Sequence, residues 1–438
     1  MKKASAFNNI FRALQYRNFR LFFFGQSISL IGTWMQAIAM GWLVYRMTNS
    51  PMLLGLVGFV SQIPAFILSP FAGIAADRFN RHHILIVTQV LAMIEALVMA
   101  ALAMTGTIQV WHIIVLGVFL GCINSLDIPA RQSFIFDMVE SKENLSNAIA
   151  LNSFMFNAAR LVGPSIAGIL IVAVGEGMCF LINGLSFIAV IISLLLMRLS
   201  VRPAIHAETN MLDGLKEGFR YAFGFEPIKV ILLMLSVLNL MGVSYAVLMP
   251  VFAKDILHGG ANTLGFLMAA AGVGALVAAV YLASRKNVLG LARMIAVSVG
   301  LFSLGIILFS ISRSLWLSIA LLMLVGFGFM VSTASCNIIL QTISDDDKRG
   351  RVMSFYTMAF MGMAPIGSLL AGYLASTIGS TMTLIFSGLC CILAAFLFSR
   401  KLPGLKKLIH PIYRKMGIIP EIASGINTAS GLSATTEE

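Results

Sequence analysis

The chain has 438 residues, 59% of them hydrophobic and 11% charged, against roughly 25% charged and 45–50% apolar in soluble domains. That composition excludes a soluble globular protein. The formal net charge of +12 would suit nucleic acid, but the basic residues form short clusters between long apolar runs. This is a membrane topology signal, so no nucleic-acid partner is expected.

Residues 1–20 carry five basic residues and precede an apolar run without a small-residue cleavage site, which reads as a retained first span on a short polar segment. With a ruler of about 20 apolar residues per membrane helix, six spans follow at 21–45, 52–75, 83–105, 111–133, 147–174 and 177–198. A polar stretch comes next. Within it Leu212, Leu215, Phe219 and Phe223 recur at helical spacing, with Asp213, Lys216, Glu217 and Arg220 on other faces, the pattern of an interfacial amphipathic helix. Six more spans are predicted at 230–252, 263–284, 292–311, 315–340, 352–377 and 379–399. The tail mixes basic and apolar residues up to Lys415, suited to anionic lipid or to solvent, and its Ser-, Thr- and Gly-rich end predicts disorder. The expected organisation is therefore all-α, with bundles at 21–198 and 230–400, a linker at 199–229 and a tail at 401–438.

Twelve spans place both termini on one side of the membrane. That side collects 26 of the 30 Lys and Arg residues, the other only Arg46, Lys254 and Arg313, with Arg160 inside a span. Both termini are therefore expected to be cytoplasmic. The halves also echo each other. At an offset of 204 residues Gly168 aligns with Gly372 and Gly175 with Gly379, as in a parallel duplication of six spans.

Five cysteines lack any metal-ligand spacing, and all six histidines fall in loops or at span ends. No cofactor or metal is expected. No phosphate-binding Gly-x-x-x-x-Gly-Lys-Ser/Thr loop and no Gly-x-Ser-x-Gly or His-Glu-x-x-His motif occurs, which argues against ATP-driven transport and against a membrane enzyme.

After span two the residues read Gly73-Ile-Ala-Ala-Asp77-Arg78-Phe-Asn-Arg81. This closely resembles the cytoplasmic loop signature of the major facilitator superfamily, with Asn80 where the family usually has Gly. Asn tolerates a left-handed backbone, so a tight turn stays open to it. Gly32-Thr-Trp34-Met-Gln36, Asp127-Ile-Pro129-Ala-Arg131, Arg160-Leu-Val-Gly163-Pro164 and Arg349-Gly350-Arg351 resemble the enterobactin-exporter branch, also described as transmembrane secretion effectors. The resemblance implies the major facilitator fold, alternating access between two bundles, and a monomer that moves a small-molecule substrate through a cavity lined by spans 1, 4, 7 and 10. Gly163, Pro164 and Gly168 resemble a helix-bending motif of antiporters in this superfamily. Proline removes a helix hydrogen bond and glycine admits a neighbouring backbone; Gly272 and Gly274 are the expected partners, and plain helix packing is the alternative.

Charges inside spans cost about 2.5–3.5 kcal/mol on insertion scales, which makes them functional candidates. Glu95, midway along span three, is the first candidate for proton exchange; the other reading is a neutral carboxyl bonded to a neighbouring helix. Arg160 in span five is open to three roles: an anionic substrate, a carboxylate partner, or a carbonyl freed by Pro164. The family's usual Arg early in span four is absent, so Glu95 and Arg160 are candidates to replace it in proton coupling. Asp127 and Arg131, four residues apart, can pair along one helix. By resemblance Asp127 would also engage Arg78 or Arg81, forming with Gly73 and Asp77 a cytoplasmic gate. Gln26, Trp34, Gln36, Asn124, Asn239, Tyr245, Asn337 and Gln341 are the candidate substrate contacts in the cavity-lining spans.

These features lead to a proton-coupled exporter of hydrophobic, amphipathic or siderophore-like compounds in a bacterial inner membrane, in contact with protons and membrane lipids. Import or lipid flipping by the same fold is the alternative.

Overall fold

The computed structural model describes residues 11–139, 142–198, 219–242, 244–285, 288–345 and 348–416. Leu212 and Leu215 of the amphipathic segment and the Ser/Thr-rich tail end lie outside these. Among the described residues twelve helices are long and apolar enough to cross a membrane. They are α1 (Arg17–Thr48), α2 (Pro51–Arg78), α3 (Arg81–Met104), α4 (Val110–Met138), α5 (Lys142–Val174) and α6 (Glu176–Leu195), then α7 (Glu226–Ile256), α8 (Ala261–Ala283), α9 (Leu291–Ile311), α10 (Leu315–Ile343), α11 (Arg349–Ile378) and α12 (Ser380–Lys415). Each matches one predicted span. Several reach further than hydropathy suggests: α12 continues through Pro403, and Leu405, Ile409 and Tyr413 bury their side chains in the core.

Asn80 does not take the left-handed turn allowed for it. It is extended, at φ −64°, and its side chain accepts the His82 backbone N–H at 2.9 Å, an N-cap that starts α3. Of the amphipathic segment's aromatic face, Phe219 and Phe223 stack with centroids 4.4 Å apart and both meet Phe355 of α11 edge-on.

Helices α1–α6 and α7–α12 form two bundles joined chiefly through α5 against α8 and α2 against α11. Small residues make both seams. A Cβ on Gly168 would lie 3.0 Å from the Gly265 Cα of α8, and one on Gly372 2.8 Å from the Gly55 Cα of α2. Such approach lets backbones pack without intervening side chains. Gly175 and Gly379, at φ +84° and +85°, each turn the chain into the last helix of their half, a conformation glycine adopts without a Cβ penalty. The offset noted in the sequence therefore pairs residues with equal structural tasks. Gly272 does face α5, at Leu161, but Gly274 packs on the Met323 carbonyl of α10 within its own bundle. Gly265 is the glycine that opposes Gly168.

The seams lie toward the side opposite the termini, here called the far side. There one apolar core runs through both bundles, joining Trp42, Tyr45 and Leu54 to Leu248, Met249 and Phe252. On the terminus side the first bundle has a separate core around Phe19, Leu85, Phe134 and Leu194. The face of α5 that meets α8 at Pro164 and Gly168 is half-buried at Asn157 and exposed at Ser153. The seams thus hold the bundles together at the far side, while toward the terminus side this face of α5 is uncovered; the space it borders is called the central cavity below.

Candidate functional site

Glu95 is 2% exposed on α3. Its Oε2 accepts from Gln36 Nε2 of α1 at 2.9 Å, and Gln36 Oε1 accepts from Asn183 Nδ2 of α6 at 2.7 Å. Ser186, a turn further along α6, donates its hydroxyl to the Asn183 carbonyl at 2.7 Å. Gly32 makes the chain possible, because a Cβ there would come within 2.5 Å of Asn183 Oδ1 and 2.6 Å of Ser186 Oγ. Three helices are thus tied through one amide side chain. No Lys, Arg or His pairs with Glu95 among the described residues. A buried carboxyl so placed can change its charge without breaking an ion pair, and each change alters what Gln36 must donate or accept.

The second buried carboxylate, Asp127 of α4, is held more fully. Thr88 Oγ1 and Gln89 Nε2 of α3 donate to its Oδ1 at 3.1 and 2.7 Å, and Arg131, four residues on, lies 3.3 Å from Oδ2. The intrahelical pair expected from the spacing is present. The expected contact with Arg81 is not: Arg81 lies against Asp137, 3.4 Å away, because α3 turns Thr88 and Gln89 toward Asp127. Gly73, Asp77 and Arg78 fall in the last turns of α2, where side chains lie outside the described residues.

Arg160 is half-buried on α5 with its Cζ 5.7 Å from the Trp34 ring centroid. Trp34 meets Phe156 edge-on at 5.7 Å, and a Cβ on Gly163 would lie 2.6 Å from the Trp34 Cβ, so only glycine leaves room for it. Among the described residues neither a carboxylate nor a backbone carbonyl lies within bonding distance of the guanidinium. Arg160 and Glu95 are not in contact. They address opposite faces of α1, through Trp34 and Gln36.

The remaining cavity candidates divide. Trp34, Asn124 and Asn337 are half-buried and Gln341 is exposed; Gln341 Nε2 donates to Asn337 Oδ1 at 2.6 Å on α10. Four others are turned into helix packing rather than the cavity. Gln36 serves Glu95 and Asn183. Gln26 is buried beside Gly25, which packs on Ser193 of α6. Asn239 donates to the Leu235 carbonyl at 2.9 Å, and Tyr245 meets Phe302 of α9 edge-on. Polar identity alone does not say which way a helix is rotated, and close glycine contacts set that rotation.

A far-side cluster was not singled out from sequence. α7 ends in a π-helical turn, Phe252–Ile256, that presents Lys254 and Asp255 to α1. Tyr45 donates to Asp255, Lys254 donates to Asn49 Oδ1 at 2.6 Å, and its Nζ lies 5.6 Å from the Tyr45 centroid. Arg46 pairs with Glu176 at 2.7 Å. The signal available was the scarcity of charge on that side, where Arg46 and Lys254 stand out.

Residues 9–432 match the family model described as transmembrane secretion effector. The staphyloferrin A transporter of Staphylococcus aureus is 26% identical over 388 residues, covering 87% of this chain and 96% of that protein. The enterobactin exporter EntS of Shigella boydii is 26% identical over 394 residues, covering 88% and 91%. A bacterial homologue of the lysosomal transporter Spinster, solved in an inward-facing and occupied conformation, superposes with a TM-score of 0.67 at 14% identity, covering 88% of this chain and 97% of that one. With its twelve membrane-crossing helices in two bundles, the chain belongs to the transmembrane secretion effector family of major facilitator transporters.

Proposed function

We propose that this transporter exports amphipathic or siderophore-like compounds in exchange for protons, by alternating access, with both termini in the cytoplasm of a bacterial cell. The observation that carries the reading is the buried Glu95–Gln36–Asn183 chain. It joins α1, α3 and α6 around a carboxyl that forms no ion pair among the described residues, and α1 also bears Trp34 beside the cavity. Loading or releasing a proton at Glu95 changes the hydrogen bonds of Gln36 and so biases α1, the helix that Tyr45 latches to α7 at the far side. A proton gradient then acts on a bistable gate. Orientation follows from the Lys/Arg asymmetry. With the termini inside, the described conformation is open to the cytoplasm, ready to accept cargo for export. The names of the relatives, one a siderophore exporter and another a siderophore transporter, support the cargo class.

The test is cargo-induced proton release in everted vesicles, comparing wild type, empty vector and Glu95→Gln. Release with wild type and its loss in Glu95→Gln is expected. Cargo accumulation with no proton release in wild type would refute the coupling.

A further inference from the structure

We infer that Arg160 is the anion-recognition residue of the transport cavity: the cargo is an amphipathic anion whose carboxylate, or an equivalent acidic group, pairs with its guanidinium while an aromatic or apolar part lies against Trp34 and Phe156. This rests on the export reading above and narrows its cargo.

The position of Arg160 follows from the three faces of α5. Gly163 meets α1 at Trp34, and Pro164 and Gly168 meet α8 at Gly265. Val162, Ile166, Ile169 and Val172 are exposed and wholly apolar, the composition of a lipid face. At 3.6 residues per turn, Arg160 falls in the arc between the α1 and α8 contacts, on the side away from lipid. Ser153 and Phe156 on the same side are exposed toward the terminus end, whereas Ala167 and Ile171, two and three turns further on, are buried at 0% and 8% exposure. Arg160 therefore stands near the blind end of the cavity.

Its charge has no counter-ion there among the described residues. Among the described residues Asp127 is taken by Arg131, Asp137 by Arg81 and Glu176 by Arg46, and Glu95 faces Gln36. The described acids of the second bundle, Glu226, Asp255 and Asp345, sit at helix ends. A guanidinium keeps its charge at any physiological pH and offers five donors in a plane matched to a carboxylate. Its Cζ sits over the Trp34 ring, 5.7 Å from the centroid, a cation–π contact that uses none of its N–H donors and leaves them for a ligand.

Fluorescein and rhodamine 6G test the inference because they share one ring system; the first carries a free carboxylate and net negative charge, the second an ester and net positive charge. Uptake into everted vesicles is measured for wild type, Arg160→Gln and Arg160→Lys, with thermal unfolding of the purified variants as the control for folding. Wild type is expected to accumulate fluorescein in preference to rhodamine 6G. Arg160→Gln should lose about tenfold or more of that uptake, tenfold corresponding to about 1.4 kcal/mol, and Arg160→Lys should recover part of it. Preference for rhodamine 6G, or fluorescein uptake indifferent to Arg160→Gln in a folded variant, overturns the inference while leaving export intact. Uptake of neither dye removes the export reading and the inference with it.

Discussion

In the first bundle Gly163 receives Trp34 of α1 and Gly168 opposes Gly265 of α8; in the second, Gly367 receives the Leu240 carbonyl of α7 and Gly372 opposes Gly55 of α2. The packing of one half is thus repeated in the other, down to which glycine touches which helix. The charges are not repeated. Glu95, Asp127 and Arg160 all lie in the first bundle, and the residue offset by 204 from Arg160 is Ala364. The two halves thus share their glycine contacts with neighbouring helices, while the ionisable residues Glu95, Asp127 and Arg160 gather in one of them.

The packing side of that comparison breaks first if the seams are unequal. Gly168→Leu and Gly372→Leu each place a side chain where a Cβ alone comes within 3.0 Å of the opposing backbone. Overpacking of this kind costs about 1–3 kcal/mol, and both variants should reduce cargo uptake in everted vesicles to background. If one is silent while the other is dead, the seams are not equivalent.

The chemical side is sharpened by Asp127→Asn against Glu95→Gln. Asp127 has three partners and is part of the fold, so Asp127→Asn should lower stability by about 1–3 kcal/mol, the range for a buried hydrogen-bonded charge, while cargo-driven proton release persists in the folded fraction. Glu95→Gln keeps the shape and the bond to Gln36 and should unfold near the wild-type temperature with proton release gone. Thermal unfolding and vesicle proton release on the same preparations separate the two.

Hydropathy made the twelve spans and their 6 + 6 arrangement legible, because lipid imposes length and polarity on every crossing helix. The intrahelical pair Asp127–Arg131 was legible too, since it needs only a four-residue spacing. Gln36 was not: as a polar residue on span one it suited the cavity, and only the contact of Gly32 with Asn183 and Ser186 turns it toward Glu95. Tyr245 and Asn239 were misplaced for the same reason, rotation about the helix axis being set by neighbours distant in sequence. The far-side latch was hidden because Lys254 and Asp255 are brought to Tyr45 by a π-helical turn that no local pattern announces.

The coupling of Glu95 to the gate is tested most directly by the far-side distance between Thr107 and Arg313, exposed positions in the α3–α4 and α9–α10 connections. Both are replaced by spin-labelled cysteines in a background free of native cysteine, and distances are read by double electron–electron resonance in nanodiscs. In wild type the distance distribution should shift between acidic and alkaline buffer as the far side opens and closes, and in Glu95→Gln it should stay fixed. A Glu95→Gln protein whose distribution still moves with pH as wild type does would contradict the assignment of the proton to Glu95.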